Sequence, residues 1–104
     1  MQDKLGKEFS LNDLVPILAD VDVVFFGETH DDSIAHLAQY DVYNLLLTSY
    51  KNVALSMEMF ETDVQTVVDE YMGGKITEDF LIKDARAWKS YATDYKPVVE
   101  LAKS

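Results

Sequence analysis

Two glutamates and two histidines within residues 28–58 are the side chains best suited to chemistry. Glu28 and His30 follow the apolar run 22–27, His36 comes shortly after them, and Glu58 lies within a second apolar run. Carboxylates and imidazoles bind divalent metals, and they also act as general acids and bases near neutral pH. Side chains alternate along an extended backbone, so Glu28 and His30 would point to the same side. We therefore expect Glu28, His30 and Glu58 to form one cluster.

Each of these residues also has a purely structural interpretation. Glu58 stands between two methionines and next to Phe60, where a buried carboxylate is costly unless it is paired, protonated or bound to a cation. It could instead face solvent or accept backbone N–H groups. His30 could order a loop by bonding a carbonyl, and His36 could be a helix residue that binds no ligand.

Tyrosine, histidine and methionine also serve as axial ligands of haem iron, and the chain has six tyrosines and four methionines. For Tyr71, Trp88, Tyr91 and Tyr95 we favour a packing role. Asp31 and Asp32 precede a helical pattern, and we favour helix capping for them over metal binding.

The elements that must position these side chains are two strands and five helices. The continuous apolar runs 22–27 and 53–60 predict strands covered on both faces. Apolar periodicity and capping residues predict helices over 10–19, 34–50, 64–72, 78–91 and 95–104. A strand–helix–strand order predicts parallel strands joined by a right-handed crossover, with ligands beyond their carboxyl ends. The expected fold class is therefore α/β, with a parallel-strand β-α-β unit and flanking helices.

Two strands are too few for a stable sheet, and strands covered on both faces need helices on both sides. We therefore expect a larger three-layer domain, of which this chain is a part truncated at its C-terminus. Residues 1–73 would be the α/β portion with the two parallel strands. Gly73 and Gly74 would end a helix, and 74–104 would begin a small helical subdomain.

Composition narrows the classes of partner. The chain of 104 residues has 19 acidic and nine basic residues, and its net charge of −10 argues against nucleic-acid binding. It has no cysteine and hence no disulfide framework. No apolar run reaches the roughly 18–20 residues of a membrane span.

Several motifs in the same order resemble the ChaN-like family of haem-binding uptake proteins, in the Tiki and erythromycin-esterase-like superfamily. They are "FFGETHDDSIAH", "VALSMEMFETDVQ", "YMGGKITEDFL" and "YKPVVELAK", and the likeness covers about 21–103. Gly27 to His30 fits the superfamily's G-x-x-H signature. The resemblance implies haem binding, iron acquisition, a cell-envelope location and a homodimer. The residues that we then expect to bind the cofactor are His30, His36, Glu58, Tyr91 and Tyr95.

The leading expectation is thus a haem-binding protein of haem or iron uptake, without enzymatic activity. One alternative is a metal-dependent hydrolase of the superfamily type, in which Glu28, His30 and Glu58 hold a divalent metal or activate water. Another alternative is an incomplete α/β domain with no activity of its own.

Overall fold

A computed structural model describes residues 2–104, and it is built from helices. The helices are α1 (Leu14–Ile17), α2 (Ser33–Ser49), α3 (Gln65–Met72), α4 (Glu78–Asp84) and α5 (Lys96–Lys103), with 3-10 turns at Leu11–Asp13 and Thr62–Val64 and a π-helical turn at Tyr91–Tyr95. The backbone forms two compact units. The first ends at Val53, and the second is Ala54–Ser104.

The predicted α/β fold with a parallel β-α-β unit is wrong. Neither apolar run, 22–27 or 53–60, forms a strand, and the β-pairing within residues 2–104 is one isolated antiparallel bridge between Gln2 and Glu8. An extended segment becomes a strand when its N–H and C=O groups pair with a neighbouring strand. These two runs do not pair with each other, and Phe25 in the first run is 93% exposed. Apolar composition was therefore insufficient to predict a sheet.

Helix α2 dominates the first unit and begins close to its predicted position. The Asp32 side chain accepts hydrogen bonds from the backbone N–H groups of Ile34 (3.0 Å) and Ala35 (3.2 Å), which confirms its predicted role as a helix cap. The buried residues of α2 are His36, Val42, Tyr43 and Leu46. Tyr43 donates its hydroxyl proton to the carbonyl of Val53 at 3.0 Å, and Tyr50 donates to the carbonyl of Val15.

In the second unit, α3 ends as the sequence predicts and α4 ends earlier than predicted. Gly74 has φ of +72°, a left-handed conformation that glycine adopts without steric cost. After α4, Arg86 has the same left-handed backbone conformation, with φ of +53°. The N–H of the next residue, Ala87, donates to the carbonyl of Ile82 at 3.0 Å. A non-glycine residue in this region is strained. The predicted helix over 78–91 therefore stops at Asp84.

Aromatic and aliphatic side chains form the core of the second unit. The rings of Phe60 and Tyr91 lie 6.3 Å apart, and Trp88 meets Tyr95 edge-on at 5.6 Å. Leu81 is fully buried on α4. The other buried residues of this unit are Met59, Val64, Tyr71, Ala85, Val98 and Val99. The predicted domain boundary between residues 73 and 74 stays a prediction.

Within residues 2–104, none of the helices has the length and apolar character that a membrane crossing requires.

Two adjacent residues of α4 test the assignment of its buried face. Leu81 is 0% exposed and Phe80 is 55% exposed. We expect Leu81→Ala to lower the free energy of unfolding by about 2–5 kcal/mol, because it removes buried methyl groups and leaves a cavity. Phe80→Ala should change it by about 0.5 kcal/mol or less. Urea denaturation followed by circular dichroism measures both, and equal losses would show that the buried face of α4 is assigned wrongly.

Candidate functional site

The Glu28 carboxylate is the centre of a polar cluster in the first unit. Its Oε1 lies 3.2 Å from Nδ1 of His30, and its Oε2 lies 2.9 Å from Nε2 of His36. The side-chain amide of Gln39 also donates to Oε2, at 2.8 Å. The Glu28 side chain is 12% exposed, so these polar contacts replace much of its hydration.

Two local elements bring these side chains together. Glu28 and His30 lie in the loop before α2, where the N–H of Asp32 donates to the carbonyl of Thr29 at 3.0 Å. His36 and Gln39 lie on α2, three residues apart, and residues at this spacing are neighbours on one face of a helix. The Glu28 carboxylate therefore connects the loop to the first turns of α2.

The two histidines differ in access to solvent. The His30 side chain is 56% exposed and that of His36 is 2% exposed. A carboxylate accepts hydrogen bonds and does not donate them, so the ring nitrogen that faces it carries a proton. That places a proton on Nδ1 of His30. In neutral His30 the lone pair is then on Nε2, the nitrogen that can coordinate a metal.

Exposed apolar side chains precede and follow this cluster in the sequence. The segment before Glu28 exposes Val21, Val23, Val24, Phe25 and Phe26, and the first turns of α2 expose Ile34 and Leu37. Single exposed apolar residues are common on protein surfaces, whereas several together indicate a binding surface. A cavity of about 480 Å³ in the first unit is lined by residues from Asp3 to Ile17 and not by the Glu28 cluster.

Glu58 lies in the second unit, in a turn before the 3-10 turn Thr62–Val64. Among residues 2–104, no group of three or more histidine, aspartate and glutamate side chains could hold a metal ion. The predicted set of Glu28, His30 and Glu58, whether as metal ligands or as catalytic groups, stays a prediction.

The two tyrosines predicted as cofactor-binding residues lie in the core of the second unit. Tyr91 is 1% exposed, and its hydroxyl has no hydrogen-bond partner among the described residues. Burial, and then the negative charges of Glu78 and Glu100, raise the pKa of Tyr91 to about 12. Tyr95 is buried with its ring against Trp88. Tyr91 is thus protonated at neutral pH. The rings of Tyr91 and Tyr95 both pack in the core of the second unit.

Tyr71, a third buried tyrosine of the second unit, has a hydrogen-bond partner for its hydroxyl. Tyr71 donates to the carboxylate of Glu100, and Nζ of Lys103 lies 4.4 Å from the centre of the Tyr71 ring. Burial and this hydrogen bond raise the pKa of Tyr71 above its ordinary value. Nearby, Lys96 contacts Glu78 at 2.8 Å.

Sequence reasoning missed two residues with specific contacts. Gln39 contacts Glu28, and its spacing of three residues from His36 on a predicted helix was a usable signal. Arg86 contacts Asp63 at 2.7 Å and Glu61 at 3.2 Å. No local signal marks Arg86, because those partners lie more than 20 residues away in the sequence.

A comparison with protein families gives this site its context. The model of a family described as haem-binding uptake, Tiki superfamily, ChaN, matches residues 14–104. The chain belongs to this family. The resemblance drawn from the sequence motifs is thereby confirmed, and the ChaN match covers the Glu28 cluster as well as Tyr91 and Tyr95. No curated protein and no solved structure matches the chain significantly.

Two tyrosine variants compare a buried hydroxyl that has a hydrogen-bond partner, that of Tyr71, with one that has none among residues 2–104, that of Tyr91. Tyr71→Phe should lower the free energy of unfolding by roughly 1–3 kcal/mol, because it removes the hydrogen bond to Glu100 from a buried site. Tyr91→Phe should leave it unchanged or raise it, because the lost hydroxyl has no partner among residues 2–104. Urea denaturation at pH 7 measures both. A loss in Tyr91→Phe as large as that in Tyr71→Phe would contradict the placement of Tyr91.

Alkaline titration tests the same burial. A tyrosine whose pKa is higher in the folded than in the unfolded protein stabilises the fold fully below the unfolded value of 10, and the contribution is lost as pH rises through the folded value of about 12. The free energy of unfolding should therefore fall between about pH 10 and pH 12. Part of that fall should be absent in Tyr91→Phe. Identical pH profiles for this variant and the wild type would show that Tyr91 titrates normally.

Proposed function

We propose that this protein binds haem as the cargo of haem or iron uptake, with His30 as the axial ligand of the iron. The observation that carries the proposal is the family match over residues 14–104. The residues of the first unit fit such a ligand in their donor chemistry and in their exposed apolar surface. When bound, haem supplies an iron that takes an axial nitrogen or oxygen ligand.

The geometry of His30 supports its choice as the ligand. Its ring is half exposed, and its Nδ1 lies 3.2 Å from the Glu28 carboxylate. A histidine that binds a metal commonly donates its other ring N–H to a carboxylate, which sets the tautomer and the ring orientation. Glu28 does this for His30. His36 contacts the same carboxylate but is buried, so we assign it a structural role beside Glu28 and not the role of iron ligand.

Exposed apolar residues next to His30 provide a surface for the porphyrin. A porphyrin is a flat apolar ring, and covering apolar surface stabilises a complex by about 25 cal/mol for each Å² removed from water. The exposed segment that includes Val23, Val24 and Phe25 precedes the His30 loop, and Ile34 and Leu37 follow it. These side chains would contact the porphyrin face.

Tyr91 fits the iron less well than His30. A tyrosine binds iron as its phenolate, and the pKa of about 12 means that Tyr91 must lose its proton at a high free-energy cost near neutral pH. Its side chain is also almost fully buried. The location in the cell envelope and the homodimer belong to the same proposal and are supported by family membership alone.

Haemin titration of the whole chain tests the proposal. We expect a saturable shift of the Soret band in the wild type. His30→Ala should weaken haemin binding at least about tenfold, because loss of one coordinating bond exceeds the roughly 1.4 kcal/mol of a tenfold change. Asp31→Ala is the matched control in the same loop and should bind haemin as the wild type does.

Two outcomes would contradict different parts of this proposal. If the wild type shows no saturable Soret shift, this chain does not bind haem. If haemin binds, but binding survives His30→Ala and is lost in Tyr91→Phe, the axial ligand is the tyrosine and the assignment of His30 is wrong.

A further inference from the structure

Gln39 on α2 forms a side-chain hydrogen bond with a residue outside its own helix. Its side-chain amide does not pair with a residue one turn away on α2 but with Glu28, eleven residues earlier in the chain. The contact is partly buried and measures 2.8 Å. Gln65 on α3 shows the more local arrangement, an exposed amide that donates to Asp69 one turn further along the same helix.

The hydrogen bond from Gln39 constrains the rotation of the Glu28 carboxylate. Oε2 faces α2, where Gln39 and His36 lie, and this leaves Oε1 directed at Nδ1 of His30. A carboxylate held at one oxygen cannot turn its other oxygen freely. The side-chain amide of Gln39 on α2 therefore fixes the orientation of Glu28. Through Glu28 it also affects the orientation of the His30 ring.

A neutral donor suits this position. Glutamine satisfies part of the carboxylate without adding a charge, so the negative charge of Glu28 stays available to the imidazole N–H of His30. A lysine or an arginine would neutralise that charge. A glutamate would place a second carboxylate against Oε2 and repel it.

We propose that Gln39 is a positioning residue of the haem site, which sets the orientation and the tautomer of His30 through Glu28. The proposal rests on the proposed function only for its effect on haem. Its effect on the His30 ring exists in the haem-free protein. Outer residues that orient a ligand typically change metal affinity by about 10–100-fold when they are substituted.

The first experiment uses the whole chain without haem. The chain has two histidines, so long-range proton–nitrogen NMR spectra resolve both rings. In the wild type we expect His30 to be protonated on Nδ1. In Gln39→Leu this preference should weaken toward a mixture of tautomers, whereas the control Gln65→Leu should leave the spectrum unchanged. An unchanged His30 tautomer in a folded Gln39→Leu protein would overturn the proposal.

A second variant keeps the test decisive if Gln39→Leu does not fold. Gln39→Glu has the same length and shape but replaces the N–H donor by an acceptor, and circular dichroism verifies that it is folded. It should disturb the His30 tautomer at least as strongly as Gln39→Leu. A wild-type tautomer in folded Gln39→Glu would overturn the proposal equally.

The haem experiment separates this proposal from the proposed function. Gln39→Leu should bind haemin about 10–100-fold more weakly than the wild type, and Gln65→Leu should bind it with unchanged affinity. If the wild type binds no haemin, the proposed function fails, and the tautomer measurement alone decides the role of Gln39. If the wild type binds and Gln39→Leu binds equally well, Gln39 has no positioning role in haem binding.

Discussion

The Glu28 carboxylate is the constraint on which the arrangement of the first unit depends. An ionised side chain with little exposure must receive hydrogen bonds or opposite charge in place of water, and His30, His36 and Gln39 each contact this one. Those partners lie in two different elements, the loop before α2 and α2 itself. Satisfying one carboxylate therefore attaches the loop, with the exposed His30, to the helix that carries the buried His36.

The same attachment explains how a polar cluster and an apolar surface occur together. The segment that ends at Gly27 lies outside the helices and exposes several large apolar side chains, whereas the residues after it form hydrogen bonds with α2. The cargo that we propose, a flat apolar ring with a metal at its centre, needs an axial ligand and an apolar contact surface. The first unit provides these two features from one continuous stretch of sequence.

The second unit contains more acidic than basic residues. Its cations and hydroxyls are arranged around the acids: Lys96 contacts Glu78, Tyr71 donates to Glu100, and Arg86 contacts both Glu61 and Asp63. Exposed ion pairs contribute little to stability, so the aromatic and aliphatic core around Leu81 carries most of it. Tyr91 differs from Tyr71, because its buried hydroxyl has no hydrogen-bond partner among residues 2–104. A phenylalanine at this position would remove that unsatisfied hydroxyl.

The sequence by itself determined the approximate positions of most helices, the cap of α2 and the family. Asp31 and Asp32 before an apolar periodic segment were sufficient to predict the start of α2, and Gly73 and Gly74 the end of α3, because caps and left-handed turns depend on local chemistry. The four motifs in the same order, including the one around Glu28 and His30, were sufficient to indicate the haem-binding uptake family. Tertiary structure decided the rest. The apolar runs did not become strands, because strand formation requires a partner that local sequence does not encode. Gln39 and Arg86 acquired their roles from carboxylates distant in the chain, which only the folded backbone brings within hydrogen-bonding distance.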